Sequence, residues 1–372
     1  VEADPAQAVV LYAQAAAMNY MPALTNLGYC YTYGIGVKQD EAKALECFQK
    51  GAQQGFPRAQ FLLGEAYRRG AGTEQDDQEA VKWYQSAAWL GYPAAQTELG
   101  RCFEFGTGVA ENIEQAAKWY REAAEQGHAP GQCCLGFCYE AGRGVEQSWE
   151  EAVRWYRTAA DQGYPRAQCN LAWCYEHGKG VEKNEKRALA WYQKAADQGD
   201  PRGMYCVGRA YDYGRGTERD IKAAVGWYQK AAEAGSVSAM CDLGVCYERG
   251  EGVEQNLEKA VELYRRAAER GDATGQCNLG HMYESGRGVA KDWVQAAKWY
   301  GAAAEQGSPR AQYHLAWCYE HAAGVQQDLT KALALYEAAA AQQYEDAEKQ
   351  VQRLRKPPEK GKFLRGLFGR HG

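Results

Sequence analysis

The sequence predicts an all-α fold, a right-handed superhelical solenoid of 36-residue helix-turn-helix repeats. Three observations predict it. A small residue recurs at Gly28, Gly64, Gly100, Gly136, Ala172, Gly208, Gly244, Gly280 and Ala316, each step being 36 residues with no insertion. An aromatic keeps the same period from Tyr12 and Phe48 through Tyr84 to Tyr336. A helix-capping residue keeps it too, in all ten units from Asp4 to Asp328. One hairpin of this size cannot cover its own apolar face, but a stack of them can.

The elements follow in order within one unit, as in "PRAQCNLAWCYEHGKGVEKNEKRALAWYQKAADQG". The first helix opens on proline at Pro57, Pro93, Pro165, Pro201 and Pro309, where a missing N–H costs nothing. It ends at a G-x-G such as Gly142 and Gly144, with glycine supplying the left-handed cap. The second helix starts after Asp4, Asp40, Asp76, Asn112, Ser148, Asn184, Asp220, Asn256, Asp292 or Asp328, whose side chains accept from orphan N–H groups. Alanine fills the position four residues on in all ten units, which points to a close helix crossing. Pairs such as Trp119 and Tyr120 supply large areas to bury against neighbouring hairpins.

The pattern A-Q-x-x-L-G-x-x-Y-x-x-G-x-G-V, followed by W-Y-x-x-A-A-x-x-G, resembles the Sel-one-like repeat (SLR), a cousin of the tetratricopeptide repeat. "AQTELGRCFEFGTGVAENIEQAAKWYREAAEQG" follows it almost residue for residue. Departures are few: Thr73 and Thr217 replace the valine, Ala172 and Ala316 a glycine, and Ala322 the first loop glycine. The resemblance implies a tetratricopeptide-like solenoid that acts as an adaptor or scaffold. It predicts a solenoid over residues 1–345, a capping helix over 346–356 and a basic, disordered tail over 357–372. Val1 falls at the register of Val37, so the N-terminus is expected to be truncated, whereas the polar last helix reads as a native cap.

The stretch "LAWCYEH" occurs twice, at Leu171–His177 and Leu315–His321, four periods apart. Its cysteine and histidine invite a reading as nucleophile and base. The cysteine register argues against it, running Cys30, Ala66, Cys102, Cys138, Cys174, Ala210, Cys246, Met282, Cys318. Alternation with alanine marks a small, buried position, where a free thiol behaves as a hydrophobe. A helix interior also offers no free N–H groups for an oxyanion. No S-x-x-K, H-E-x-x-H or C-x-x-C is present, so no catalytic residue is assigned. His314, Cys318 and His321 share a helical arc, but the earlier copy has Asn170 in place of the first histidine, and no metal or other cofactor is expected.

The cysteines are thirteen, and only Cys47 lies in a second helix. Cys169 and Cys174 are about 140° apart around one helix and cannot bridge each other. Cysteine-rich secreted relatives of the family pair cysteines across the helices of each repeat, an arrangement lacking here. Cys30 with Cys47 is the one cross-helix candidate. Reduced thiols, hence the cytoplasm, are expected.

On a helical wheel the outward positions of the first helices carry Tyr29, Tyr33, Phe61, Phe105, Phe137, Trp173, His177, Tyr205, Tyr213, His281, Tyr313, Trp317 and His321. In tetratricopeptide-like solenoids this surface is concave, so these residues are expected to form a ladder along a partner-binding groove, unless they pack on the next hairpin. Glu104, Glu140, Glu176, Asp212, Glu248, Glu284 and Glu320 form an acidic row, read as a solvated helix end that would favour Lys- or Arg-bearing peptides.

The net charge is −5, yet from Arg353 onward there are seven Lys or Arg and one Glu, leaving −11 for the rest. Pro357 and Pro358 end the last helix. Phe363, Leu364, Leu367 and Phe368 could share one basic-flanked face suited to an anionic membrane, though Gly366 and Gly369 oppose a helix. The expected partner is a protein or peptide, not nucleic acid, with weak membrane-surface contact through the tail. The chain is expected to be a monomer. A membrane or envelope adaptor is the alternative.

Overall fold

The computed structural model describes residues 4–355. The basic tail over 357–372, with its expected disorder and membrane contact, lies outside the described residues. Among the described residues there are twenty helices and no strand. The chain divides into two compact units, Val1–Gln198 and Gly199–Gly372.

The first unit holds α1 (Pro5–Ala17), α2 (Met21–Tyr33), α3 (Glu41–Gln53), α4 (Pro57–Arg69), α5 (Asp77–Trp89), α6 (Pro93–Phe105), α7 (Ile113–Glu125), α8 (Ala129–Ala141), α9 (Trp149–Asp161), α10 (Pro165–His177) and α11 (Glu185–Asp197). The second holds α12 (Pro201–Tyr213), α13 (Ile221–Glu233), α14 (Val237–Arg249), α15 (Leu257–Glu269), α16 (Ala273–Ser285), α17 (Trp293–Glu305), α18 (Pro309–His321), α19 (Leu329–Ala341) and α20 (Ala347–Arg355). Inside each unit every helix packs on the next in sequence. First helices also touch one another, α6 on α8 and α14 on α16.

The ten second-helix caps form as the sequence predicts. Asn112 accepts from the Gln115 amide at 3.0 Å, and Asp328 from Thr330 and Lys331. The first helices differ between units. Those in the first unit follow Tyr20, Phe56, Tyr92, His128 and Tyr164, none of which caps through its side chain. Those beginning α12, α14, α16 and α18 are capped by Asp200, Ser236, Asp272 and Ser308.

The loop glycines are demanded by space. A Cβ on Gly180 would lie 2.3 Å from the Trp149 carbonyl oxygen, so the loop after α10 presses directly onto the start of α9. The helix glycine has a different task. A Cβ on Gly100 would come within 2.6 Å of the Tyr120 ring, which is fully buried, as are Tyr84, Tyr156, Tyr228, Tyr264, Tyr300 and Tyr336. Tyr84, Tyr156, Tyr228, Tyr264 and Tyr300 meet Gly64, Gly136, Gly208, Gly244 and Gly280 in the same way.

Buried glutamines bind successive hairpins. Gln96 donates to the Ala88 carbonyl at 3.3 Å and accepts from Gln126, thirty residues on, at 2.7 Å. Gln132 with Gln162 and Gln168 with Gln198 repeat this in the first unit; Gln276 with Gln306 and Gln312 with Gln342 repeat it in the second. Gln60 breaks the series, because Leu90 stands where the donor should be, and its Oε1 is buried without a partner among the described residues.

Candidate partner-binding surface

The acidic row is not a solvated edge. Tyr120 donates its phenol hydrogen to Glu104 at 2.6 Å, and Tyr156 does the same to Glu140 at 2.6 Å. In the second unit Tyr264 reaches Glu248 at 2.8 Å and Tyr336 reaches Glu320 at 3.1 Å. Burial pushes the Tyr120 phenol well above the ordinary tyrosine range, so it stays a donor. A cation often completes the group. Arg143 lies 3.0 Å from Glu104, Arg287 lies 2.6 Å from Glu248, and Arg353 of α20 pairs with Glu320. Glu284 is satisfied by Tyr300 and by His314 at 3.3 Å, and His281 Nδ1 lies 3.8 Å away without a hydrogen-bond partner among the described residues. Burial pushes the Glu284 carboxyl up, but the nearby His281 and hydrogen bonds from His314 and Tyr300 more than offset it and hold the group well below the usual range. Each of these carboxylates accepts from a phenol, and Glu104, Glu248 and Glu320 are also paired with an arginine, which weakens the acidic edge as a reason to favour basic peptides.

The duplicated cysteine is likewise inert. Cys174 and Cys318 are fully buried, and burial pushes each thiol up to about 12. His177 stacks on Trp173 at 4.3 Å, and its Nδ1 lies 2.9 Å from the Trp173 carbonyl oxygen. His321 repeats this on Trp317, at 4.3 Å and 3.0 Å. His314 and His321 have separate partners while Cys318 is buried, and no group able to hold a metal ion is found among the described residues. All thirteen cysteines are free thiols, Cys30 and Cys47 included.

The outward aromatics gather into local patches within each unit. In the first unit the Tyr29 and Tyr33 rings lie 4.5 Å apart. Both are exposed, and with Phe61 they line a recess between α2, α3 and α4. Phe61 itself is half-buried against Tyr84 and Tyr92, Phe137 is half-buried, and Phe105 is exposed. In the second unit Tyr205 is half-buried, its hydroxyl 3.0 Å from Asp242. Tyr213 is exposed beneath the guanidinium groups of Arg209 and Arg215. Tyr313 packs on Tyr336 and Tyr344, and His281 is half-buried near Glu284.

Trp173 and Trp317 are half-buried rather than free, because each meets a second tryptophan that the helical wheel of the first helices leaves out. Trp149, the first residue of α9, stacks on Trp173 at 5.8 Å and 26°. Trp293, the first residue of α17, stacks on Trp317 at 5.0 Å and 24°. A lysine lies over each of these rings, Lys179 at 5.6 Å from that of Trp149 and Lys291 at 5.1 Å from that of Trp293. The signal was in the sequence: tryptophan takes the first position of a second helix only at 149 and 293, each 24 residues before the tryptophan of LAWCYEH.

Ten segments match the Sel1 repeat, over residues 1–20, 22–56, 57–92, 93–128, 129–164, 165–200, 201–236, 237–272, 273–308 and 309–344. No curated protein matches the chain. Among solved structures, c5321, a protective antigen present in uropathogenic Escherichia coli strains that displays an SLR fold, is 32% identical with a TM-score of 0.62. That likeness covers 93% of this chain and 82% of the other. A Sel1 repeat protein from Oxalobacter formigenes is 30% identical with a TM-score of 0.61, covering 85% of this chain and 94% of its own. Ten consecutive hairpins of one register, matched in sequence over nearly the whole length, carry one conclusion: the chain belongs to the Sel1 repeat family.

Proposed function

We propose that this protein is a non-catalytic scaffold that binds a protein or peptide partner through the aromatic patches of its first helices. Sel1-repeat proteins are generally non-catalytic scaffolds that bind proteins. The observation that carries the reading here is the twinned stack: Trp149, Trp173 and His177 in one unit, Trp293, Trp317 and His321 in the other. Rings already held by stacking lose little freedom when a partner docks, which is why tryptophan concentrates binding energy. Each histidine gives its Nδ1 hydrogen to a helix carbonyl, which leaves Nε2 as the ring nitrogen free to face a partner. A partner with an apolar surface beside a hydrogen-bonding group fits that arrangement. The inert buried thiols support the non-catalytic part, and thirteen free thiols fit the reducing cytoplasm, where we place the protein. Its described helices include none long and apolar enough to cross a membrane.

The test is affinity capture with the full chain beside its Trp173→Ala/Trp317→Ala and His177→Ala/His321→Ala variants. The expected result is a partner held by the wild type and lost from both variants at unchanged helicity. Retention of the same partner by both variants overturns this choice of surface.

A further inference from the structure

One position on the second helices supplies a hydrogen-bond donor. Where it is arginine, the guanidinium reaches the tyrosine of the following first helix. Arg121 lies 3.1 Å from the Tyr139 hydroxyl, Arg157 2.9 Å from that of Tyr175 and Arg265 3.1 Å from that of Tyr283. Where it is glutamine, the amide can turn to the acid one helical turn on. Gln193 donates to Asp197 at 2.7 Å, and Gln229 to Glu233 at 3.2 Å. On α17 the position is Gly301. Both acceptors remain, the Tyr319 hydroxyl on α18 and the Glu305 carboxylate one turn on, and neither has a hydrogen-bond or ion-pair partner among the described residues.

Gly301, Glu305 and Tyr319 line one recess between α17, α18 and α19, with a volume of about 640 Å³. That lies within the range of binding pockets, roughly 300–1,000 Å³. The matching recess on α7, with Arg121 in its wall, holds about 360 Å³. A second substitution widens the α19 side. Leu335 stands where Trp83, Trp119, Trp155, Trp191, Trp227 and Trp299 stand in other hairpins. Val294 and Ala297 continue the apolar wall. Ala13 with Cys47 is the one other pair that lacks both the long polar chain and the tryptophan, and there Ala17 replaces the acid.

Two lysines stand nearby, and the other hairpins show that neither bars a further cation. Lys298 lies over the Trp299 ring at 5.3 Å, and α7 carries Lys118 and Arg121 in a single wall. Lys331 lies over the Tyr319 ring at 5.4 Å and pairs with Asp328. Tyr175 likewise has Arg187 over its ring at 5.8 Å while its hydroxyl accepts from Arg157.

We propose that this recess is a docking site for one arginine side chain of a partner polypeptide, separate from the tryptophan stacks, none of whose rings line it. A guanidinium carries five donors in a planar fork, so it can serve a phenol oxygen and a carboxylate together. Its methylene stem covers Val294, Ala297 and Leu335. The partner thus supplies from outside the group that Gly301 withholds.

The probe is N-acetyl-argininamide, titrated into the full chain and followed by ligand-observed NMR, with N-acetyl-lysinamide and N-acetyl-tryptophanamide as comparisons. Gly301→Arg fills the site from within. A Cβ at Gly301 would meet nothing within 4 Å, and arginine favours a helix, so the fold is kept. Tyr319→Phe/Glu305→Gln instead removes both acceptors without closing the recess. The expected result is saturable binding of the arginine probe, weakened about tenfold or more in each variant at unchanged helicity. The lysine and tryptophan probes should bind at least tenfold more weakly to the wild type. Absence of saturable arginine binding, equal binding by either variant, or equal binding of either comparison probe overturns the site.

Discussion

Tyr120 donates to Glu104 across the α6–α7 hairpin at 2.6 Å, and Arg143 of the loop after α8 holds the other carboxylate oxygen at 3.0 Å. The three groups satisfy one another in a place where any one alone would be costly. Tyr120→Phe should therefore cost more than a hydroxyl on a surface would, about 1–3 kcal/mol, because it leaves a buried carboxylate short of a donor. Adding Glu104→Thr should recover part of the loss, as the pairing of Phe48 with Thr32 suggests. Thermal melts of the two single variants and the double measure the coupling; strictly additive losses would refute it.

Leu90 is exposed beside a buried glutamine oxygen that has no partner among the described residues. Leu90→Gln should supply the donor that Gln126 supplies to Gln96, and stabilise the α4–α5 region by about 1 kcal/mol. A raised denaturant midpoint at unchanged slope is the expected observation.

Ala322 caps α18 at φ 56, in the left-handed region where the corresponding caps of the other first helices are glycines. The left-handed conformation costs a non-glycine residue roughly 1–2 kcal/mol, offset in part by the greater freedom that glycine gives the unfolded chain. Ala322→Gly should raise the melting temperature, and slow amide exchange at the end of α18 should accompany it.

Alkaline pH should weaken the fold. Cys102, Cys138, Cys174, Cys246 and Cys318 are pushed up to about 12 by burial, from an ordinary 9.0. Between those values an unfolded thiol loses its proton while the folded one keeps it, so the unfolded state binds fewer protons and stability falls as pH rises. The contribution is complete below the unfolded value and is lost through this window. Denaturant midpoints measured from about pH 8 to about pH 10.5 should fall, and less steeply for Cys174→Ala/Cys318→Ala.

Trp173→Ala should lower stability as well as binding, since it removes a ring sandwiched between Trp149 and His177, a loss of about 1 kcal/mol from stacking alone. His177→Ala, at an exposed position, should cost within about 0.5 kcal/mol. Binding lost in both variants with this difference in melting would separate recognition from packing.

The sequence by itself determined what acts over one or two turns of chain. The caps at Asp4 through Asp328, the glycines ending the first helices and the burial of Cys174 follow from local geometry repeated every 36 residues. The family was legible for the same reason. Only the tertiary structure decided where long side chains point. Glu104 reads as a surface residue on its own helix, and it turns inward because a phenol sixteen residues away and a guanidinium thirty-nine away both reach it. Trp173 reads as exposed until the start of α9 brings Trp149 against it.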